Sequence, residues 1–227
     1  MQNTILNARE LVSGQGSGEV LSTNVALSFW GGVNPVDGTV IDHTHPLLGK
    51  CISGKVLVIP NGRGSCTGSQ VVLELILNGK APAAFVLRQP DVILALGVIV
   101  AEELFGKSIP MVSLGSDDMF QAVADAEYAS VAGARVYCGV SSESVKVKAW
   151  TAPTSTEELL KISGLALTDE ELSMLCGEKG GHTKATQVAM RIMTRAAVIS
   201  DAPHLLKITQ AHIDGCTYIG PGGLSFA

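Results

Sequence analysis

Three short apolar runs constrain this chain most: GKVLVIP at 54–60, AAFVLR at 83–88 and IPMVSLG at 109–115. Each is rich in Val, Ile, Leu or Phe, and each is bounded by Gly, Pro or a charged residue. A strand with no polar alternation has both faces covered, so the three read as buried strands. Helical patterns lie between them. Val71, Val72, Leu75 and Ile76 fall at helical spacing from Gly68 to Asn78, and Gly79 closes the element. VIVAEELFG (98–106) reads as a helix ended by Gly106, and Asp117 and Asp118 cap a short helix running to about Ala126. Strands alternating with helices define an α/β domain.

The flanks extend that pattern. EVLSTNVALSF (19–29) has mixed alternation, and GTVID (38–42) reads as a short strand after an Asp37-Gly38 turn. ARVYCGV (134–140) and SVKVKAW (144–150) read as two more strands, which gives the order β-β-β-α-β-α-β-α-β-β over residues 1–150. The Thr-, Ser- and Pro-rich segment 151–167 reads as a linker. Thr168 then opens a capping box with Glu171, and a helix runs to about Gly177. Residues 182–200 form a long amphipathic helix pattern with Val188, Ile192, Ala196 and Ile199 on one face. LLKITQAHI (205–213) reads as a strand. Two helices and one strand cannot close a core of their own, so residues 168–227 read as the start of a second domain whose remainder is absent, the plainer alternative being a segment that packs back onto the first domain.

Composition excludes some functions. A hydrophobic fraction of 46% supports a sizeable core, yet aromatics are only 4%, so Val, Ile, Leu, Ala and Met must fill it. A net charge of -5 with no basic run argues against nucleic-acid binding. The longest apolar stretch, VILALGVIVA at 92–101, is too short to span a bilayer, so no membrane partner is expected. Cysteines stand at 51, 66, 138, 176 and 216, and none forms a C-x-x-C pair. An odd count and the absence of a signal-peptide pattern predict a reduced, cytoplasmic protein with free thiols.

Three clusters hold chemistry-bearing side chains. In SFWGGVNPVDGTVIDHTHP (28–46), Phe29 and Trp30 precede a Gly-Gly pair, and His43 and His45 lie two apart. Two such histidines share a face of a strand, but nothing nearby completes a metal site, so solvated turn histidines are the favoured reading. In PNGRGSCTGS (60–69), a loop leads from a buried strand into a helix N-terminus, which aims free N–H groups and a positive dipole end at one point. Arg63 adds a charge with a bidentate fork. The loop lacks the ending of a P-loop and the G-x-S-x-G of a hydrolase elbow. An anion cradle and a plain helix cap made by Ser65 and Thr67 both remain open. In QAHIDGCTYIGPGGLSF (210–226), His212, Asp214, Cys216 and Tyr218 alternate, which on an extended strand places them on one face, and an ordinary strand end accounts for the pattern equally well.

Together these residues resemble the aconitase X family. SFWGG, then D-x-x-HP, then GRGS-x-TGS, then APAA follow in order across residues 28–84, and the likeness to that family's swivel domain covers residues 1–150. Residues 168–227 resemble the start of its large catalytic domain, through T-x-E-E and AHIDG-x-x-Y-x-G-x-x-GL-x-F. The resemblance implies an aconitase-like swivel β/β/α domain followed by a helical and strand segment that begins a catalytic domain. It implies a hydro-lyase that removes a hydroxyl with an iron–sulfur cluster while a base takes the proton from the neighbouring carbon. Family members fused in this order dehydrate cis-3-hydroxy-L-proline to a pyrroline-2-carboxylate. Archaeal relatives with separate subunits dehydrate a phosphorylated mevalonate.

The family's base is a serine in a Gly-Ser-Ser turn, which matches Gly64-Ser65-Cys66, so Ser65 takes that role. Cys66 stands where the family usually has a second serine. Arg63, Gly64, Cys66 and Thr67 would hold the substrate carboxylate. Phe29, Trp30 and Gly31 would form a nearby wall, and His212 and Tyr218 would line the cleft from the other domain. The cluster ligands are expected beyond residue 227, so no metal ligand is assigned in this chain. The implied partners are a small hydroxy acid and the rest of the large domain, on the same or a second polypeptide. The hydroxyproline reaction is the favoured reading; phosphomevalonate dehydration, or a non-catalytic subunit completing another chain's site, is the alternative.

Overall fold

In the computed structural model, the described residues are 4–139, with 191–192, 195–196, 198–199, 218–219 and 225–226. The three apolar runs form β5 (Val56–Ile59), β7 (Ala84–Leu87) and β8 (Met111–Ser113), every residue of them buried. Together with β3 (Gln15–Ser22) they make a parallel block in the order β3-β5-β7-β8. Antiparallel strands flank it. β2 (Arg9–Val12) pairs with β8 on one side; β9 (Tyr128–Ala132), β10 (Arg135–Cys138) and β1 (Thr4–Asn7) follow β3 on the other. Two short strands, β4 (Leu27–Ser28) and β6 (Gly62–Arg63), form a separate parallel ribbon.

β1 and β2 stand at opposite ends of the eight-strand order, yet Ala8 alone separates them. One residue spans at most about 3.6 Å, so the sheet must curl until its two ends meet. The Ala8 amide donates to Ala134 O at 2.9 Å and extends the β1–β10 ladder up to the seam. Glycines let the strands crowd as they curl. A Cβ on Gly16 would lie 1.9 Å from Ala83 O, and one on Gly18 2.4 Å from Gly54 O. No side chain fits either place.

Alternation divides the parallel strands between two cores. Val56, Val58, Ala84, Val86 and Val112 cluster with Phe120 and Val123 of α3 (Asp117–Ala124). The opposite face carries Leu57, Ile59, Phe85 and Leu87. Helices α1 (Gly68–Leu77) and α2 (Val92–Phe105) pack closely, because a Cβ on Gly97 of α2 would lie 2.4 Å from Ser69 O of α1.

Several boundaries differ from the sequence reading. α2 begins at Val92, six residues before the expected start. Its first turns, VILALG, show no apolar stripe because most of their sides meet protein. α3 is capped by Ser116, which accepts from the Met119 amide at 3.3 Å; Asp117 and Asp118 occupy the first turn and favour the dipole instead. GTVID is not a strand: Thr39 and Val40 make only isolated bridges, to Cys51 and Val33. The backbone there shares its hydrogen bonds among Gly32, Asn34 and Lys50 rather than one partner strand. The 19–29 segment divides into the end of β3 and β4 around a bend. β9 was missed, since YASVA is too poor in large β-branched residues to read as a strand.

The chain divides into two units, residues 1–152 and 153–227. In the second, residues 191–192, 195–196 and 198–199 are helical, on the segment where the long helix is expected. β11 (Tyr218–Ile219) pairs antiparallel with β12 (Ser225–Phe226). The expected strands 144–150 and 205–213, the linker and the helix 168–177 lie outside the described residues. Among the described residues no helix is long and apolar enough to cross a membrane.

Candidate active site at the carboxyl ends of the parallel strands

In parallel α/β sheets, closed as well as open, ligands bind beyond the carboxyl ends of the strands, where the loops gather. Here the loops after β3, β5, β7 and β8 are joined there by hydrogen bonds. Thr23 N–H donates to Val58 O (3.0 Å), Arg88 N–H to Pro60 O (3.1 Å) and Leu114 N–H to Leu87 O (2.9 Å). The Arg88 side chain ties the same end together. Its Nη2 donates to Asn24 Oδ1 at 2.7 Å, its Nε pairs with Asp117 Oδ1 at 3.3 Å, and its guanidinium lies 4.4 Å from the Phe120 ring centroid.

The PNGRGSCTGS loop leaves β5 at this end. Gly62 and Arg63 pair with Leu27 and Ser28, which sets Phe29-Trp30-Gly31 beside Gly64-Ser65-Cys66. The ribbon is fixed further by Ser28 Oγ, which donates to Trp30 O at 2.9 Å. Phe29 is 1% exposed and meets Phe85 edge-on at 5.9 Å, so its ring belongs to the core and supports the loop from behind. Trp30, 63% exposed, is the aromatic that faces outward. Gly64 has φ 110°, a conformation only glycine adopts without strain, and it turns the chain from β6 toward α1.

Ser65, Cys66 and Arg63 are exposed and Thr67 is half-buried. The cap reading keeps Ser65, whose hydroxyl receives the Thr67 amide, but not Thr67. Thr67 already has helical angles and its side chain makes no cap hydrogen bond. The first turn closes through main-chain bonds instead: Gly68 N–H to Ser65 O and Ser69 N–H to Cys66 O, both 3.0 Å. The Ser65 hydroxyl donates to Thr67 Oγ1 at 3.0 Å and receives the Thr67 amide at 3.4 Å. The amides of Ser65 and Cys66 have no acceptor among the described residues. A helix N-terminus with spare donors beside a hydroxyl is suited to an anion.

Two carboxylates grip the loop. Asp42 Oδ2 accepts from Arg63 Nη2 at 2.9 Å, while its Oδ1 takes the Thr44 hydroxyl (2.7 Å) and amide (2.9 Å). The Thr44 hydroxyl, then its amide, then the Arg63 charge hold the Asp42 carboxyl below its ordinary value. Asp91 Oδ2 accepts the Gly62 amide at 2.7 Å, and its Oδ1 accepts the Ile93 and Leu94 amides at 2.9 and 3.0 Å. Sequence reasoning did not assign either residue to the site. For Asp91 a local signal existed, an Asp directly after Pro90 and before an apolar run, which marks a helix N-cap.

The histidines of D-x-x-HP are not a metal pair. His45 is 4% exposed, a buried residue rather than a solvated one. Leu47 N–H donates to its Nδ1 and its Nε2 faces Val25 O, both at 3.2 Å, so both ring nitrogens are occupied within the protein. Cys51 and Cys66 are exposed free thiols, and burial pushes the thiol of Cys138 up. Among the described residues no group of three or more His, Cys, Asp or Glu could hold a metal. The iron–sulfur cluster that the family resemblance implies therefore finds no ligand set among them. His212 lies outside the described residues, and Tyr218 is placed in β11 by its backbone alone.

A curled mixed sheet with a glycine-serine turn at a helix N-terminus defines a swivel-type α/β domain. Family models agree: the aconitase X swivel domain matches residues 5–140 and the aconitase X first domain matches residues 164–227. The chain belongs to the aconitase X family. It is 48% identical over 219 residues to cis-3-hydroxy-L-proline dehydratase of Pseudomonas aeruginosa, covering 96% of this chain and 36% of that protein. The same-named protein of Hypocrea jecorina is 44% identical over 230 residues, covering 100% and 37%. The phosphomevalonate dehydratase small subunit of Methanothermobacter thermautotrophicus is 42% identical over 120 residues, which is 53% of this chain and 87% of that subunit. The crystal structure of Thermococcus kodakaraensis aconitase X (holo-form) superposes with TM-score 0.51 at 35% identity, covering 60% of this chain and 98% of that one. The chain thus spans little more than a third of the length of the first two relatives.

Proposed function

We propose that this chain supplies the swivel-domain half of a hydro-lyase that dehydrates cis-3-hydroxy-L-proline. The observation that carries the reading is the extent of the likeness. Identity to cis-3-hydroxy-L-proline dehydratases runs along nearly the whole chain, through both family regions, whereas the phosphomevalonate dehydratase small subunit aligns with about half of it. Local charge supports the same choice. A phosphate-bearing substrate calls for surplus positive charge, but Arg63 is paired with Asp42, and Arg88 is engaged with Asn24 and Asp117.

In this reading Ser65, as its alkoxide, takes the C2 proton of the hydroxyproline as the C3–O bond breaks, and passing that proton to the departing hydroxide releases water and restores the alkoxide. The 2,3-unsaturated product then tautomerises to Δ1-pyrroline-2-carboxylate. A serine is a poor base unless its alkoxide is stabilised. Stabilisation is at hand: the Thr67 amide and hydroxyl both face Ser65 Oγ, at the positive end of α1. The free donors of Arg63, with the Ser65 and Cys66 amides, would hold the substrate carboxylate, with Gly64 and Thr67 shaping the turn. Trp30 and Gly31 would wall the site, and Phe29 would support that wall. His212 and Tyr218 would line the far side. The cluster, and the remainder of the catalytic domain on the same or a second polypeptide, would complete the enzyme.

Ser65→Ala in the complete enzyme, with iron content verified, is expected to lower turnover of cis-3-hydroxy-L-proline at least about 100-fold. Turnover within about threefold of wild type, under ~0.7 kcal/mol, rejects Ser65 as the base. The likeness to small subunits motivates a second reading, phosphomevalonate dehydration. Comparing the two substrates on the same preparation separates them.

A further inference from the structure

The loop bearing Ser65 needs a fixed origin, and its anchor is a single carboxylate from another element. Asp91 is the N-cap of α2, with Oδ1 bound to the Ile93 and Leu94 amides. A cap needs only that oxygen. Its other oxygen turns away from α2 and takes the Gly62 amide at 2.7 Å, 29 residues away in sequence. Gly62 is shaped to this contact: a Cβ there would lie 2.9 Å from Asp91 Oδ2 and 3.1 Å from the Leu94 side chain. Beyond Gly62 the loop passes through the left-handed Gly64 to Ser65. At the far side of the turn, the place of a Cβ on Gly68 is 3.9 Å from Ile93 Cγ2, in the turn Asp91 caps. The first turn of α2 therefore holds the entry to the Ser65 turn, through Asp91 and Gly62, and lies close to its exit at Gly68.

We propose that Asp91 is a positioning residue for Ser65, anchoring the reactive turn to the start of α2 through the Gly62 amide. The proposal rests on the reading of Ser65 as the base. Its physical content is a division of labour: one carboxylate oxygen stabilises the helix, and the other places the turn. The two roles separate by mutation, because a serine caps a helix nearly as well as an aspartate but is too short to reach Gly62.

The test is Asp91→Ser in the complete enzyme, with Gly62→Ala as the second variant, which keeps the α2 cap but crowds Oδ2. Steady-state turnover of cis-3-hydroxy-L-proline, the thermal midpoint and hydrogen exchange of the 60–67 segment are measured together. The expected result for both variants is a kcat at least about tenfold lower, a KM within about threefold and a midpoint shifted by less than about 4 °C. Exchange of the 60–67 amides rises while that of α2 stays as in wild type. Unchanged kcat, a loss of kcat that tracks the loss of thermal stability, or failure of both variants to fold overturns the proposal. If wild type itself does not turn over hydroxyproline, the functional reading fails. Exchange then decides the anchor alone: faster exchange at 60–67 with α2 protected upholds it, and unchanged exchange refutes it.

Discussion

At the scale of single residues, the site depends on how charge is held beside Ser65. Arg63 is exposed, and a free arginine there would sample many rotamers at an entropic cost to any ligand. Asp42 fixes it, and Thr44 fixes Asp42. The carboxyl of Asp42 lies below its ordinary value, as does that of Asp37, whose first cause is the Thr39 amide. For a depressed carboxyl the contribution to stability is present above the unfolded value, about 3.9, and is lost as pH falls through the folded value. Asp42→Asn is therefore expected to lower the thermal midpoint at neutral pH and to match wild type at about pH 2. Equal losses at both pH values would show that the carboxylate charge is not what matters. The loop itself was legible in the sequence, because Gly, Ser and Thr crowd at the mouth of a helix. Its partners were not. Asp42 lies 21 residues and Asp91 29 residues from the groups they hold.

At the scale of elements, α2 shows how a helix can hide in an apolar run. VILALGVIVA lacks a polar stripe, so periodicity cannot register it, and only its cap at Asp91 and its stop at Gly106 mark it. Gly97 is the reason the two helices can touch. Adding a methyl there raises intrinsic helix propensity by up to ~1 kcal/mol but drives a Cβ to 2.4 Å from the Ser69 carbonyl. Backbone cannot yield cheaply, and overpacking of this kind costs ~1–3 kcal/mol. Gly97→Ala is therefore expected to destabilise the chain by about 1–2 kcal/mol in urea unfolding. A stabilised variant would show that α1 and α2 have room to separate. The buried strands and α1 were readable from composition and spacing. β9 and the bridges around Thr39 were not, because their pairing depends on distant partners rather than on local preference.

At the scale of the whole molecule, the distinguishing event is closure of the sheet. A chain that passes from one end of an eight-strand order to the other through Ala8 leaves neither end open to a neighbour. Removing residues 1–7 should bare the β10 edge and promote self-association, visible as a rise in light-scattering mass at unchanged concentration. A truncated chain with wild-type mass and melting behaviour would make β1 dispensable. The sequence alone determined the alternation of buried strands with helices, the composition of the reactive turn and the motif order that resembles aconitase X. Each is written in neighbouring residues, through periodicity, caps and turn chemistry. Only the tertiary structure decided that the sheet curls shut, that Phe29 supports rather than lines the site, and that Asp42 and Asp91 hold the turn from two sides. Those contacts join residues far apart in the chain, and local preference carries no information about which loops converge.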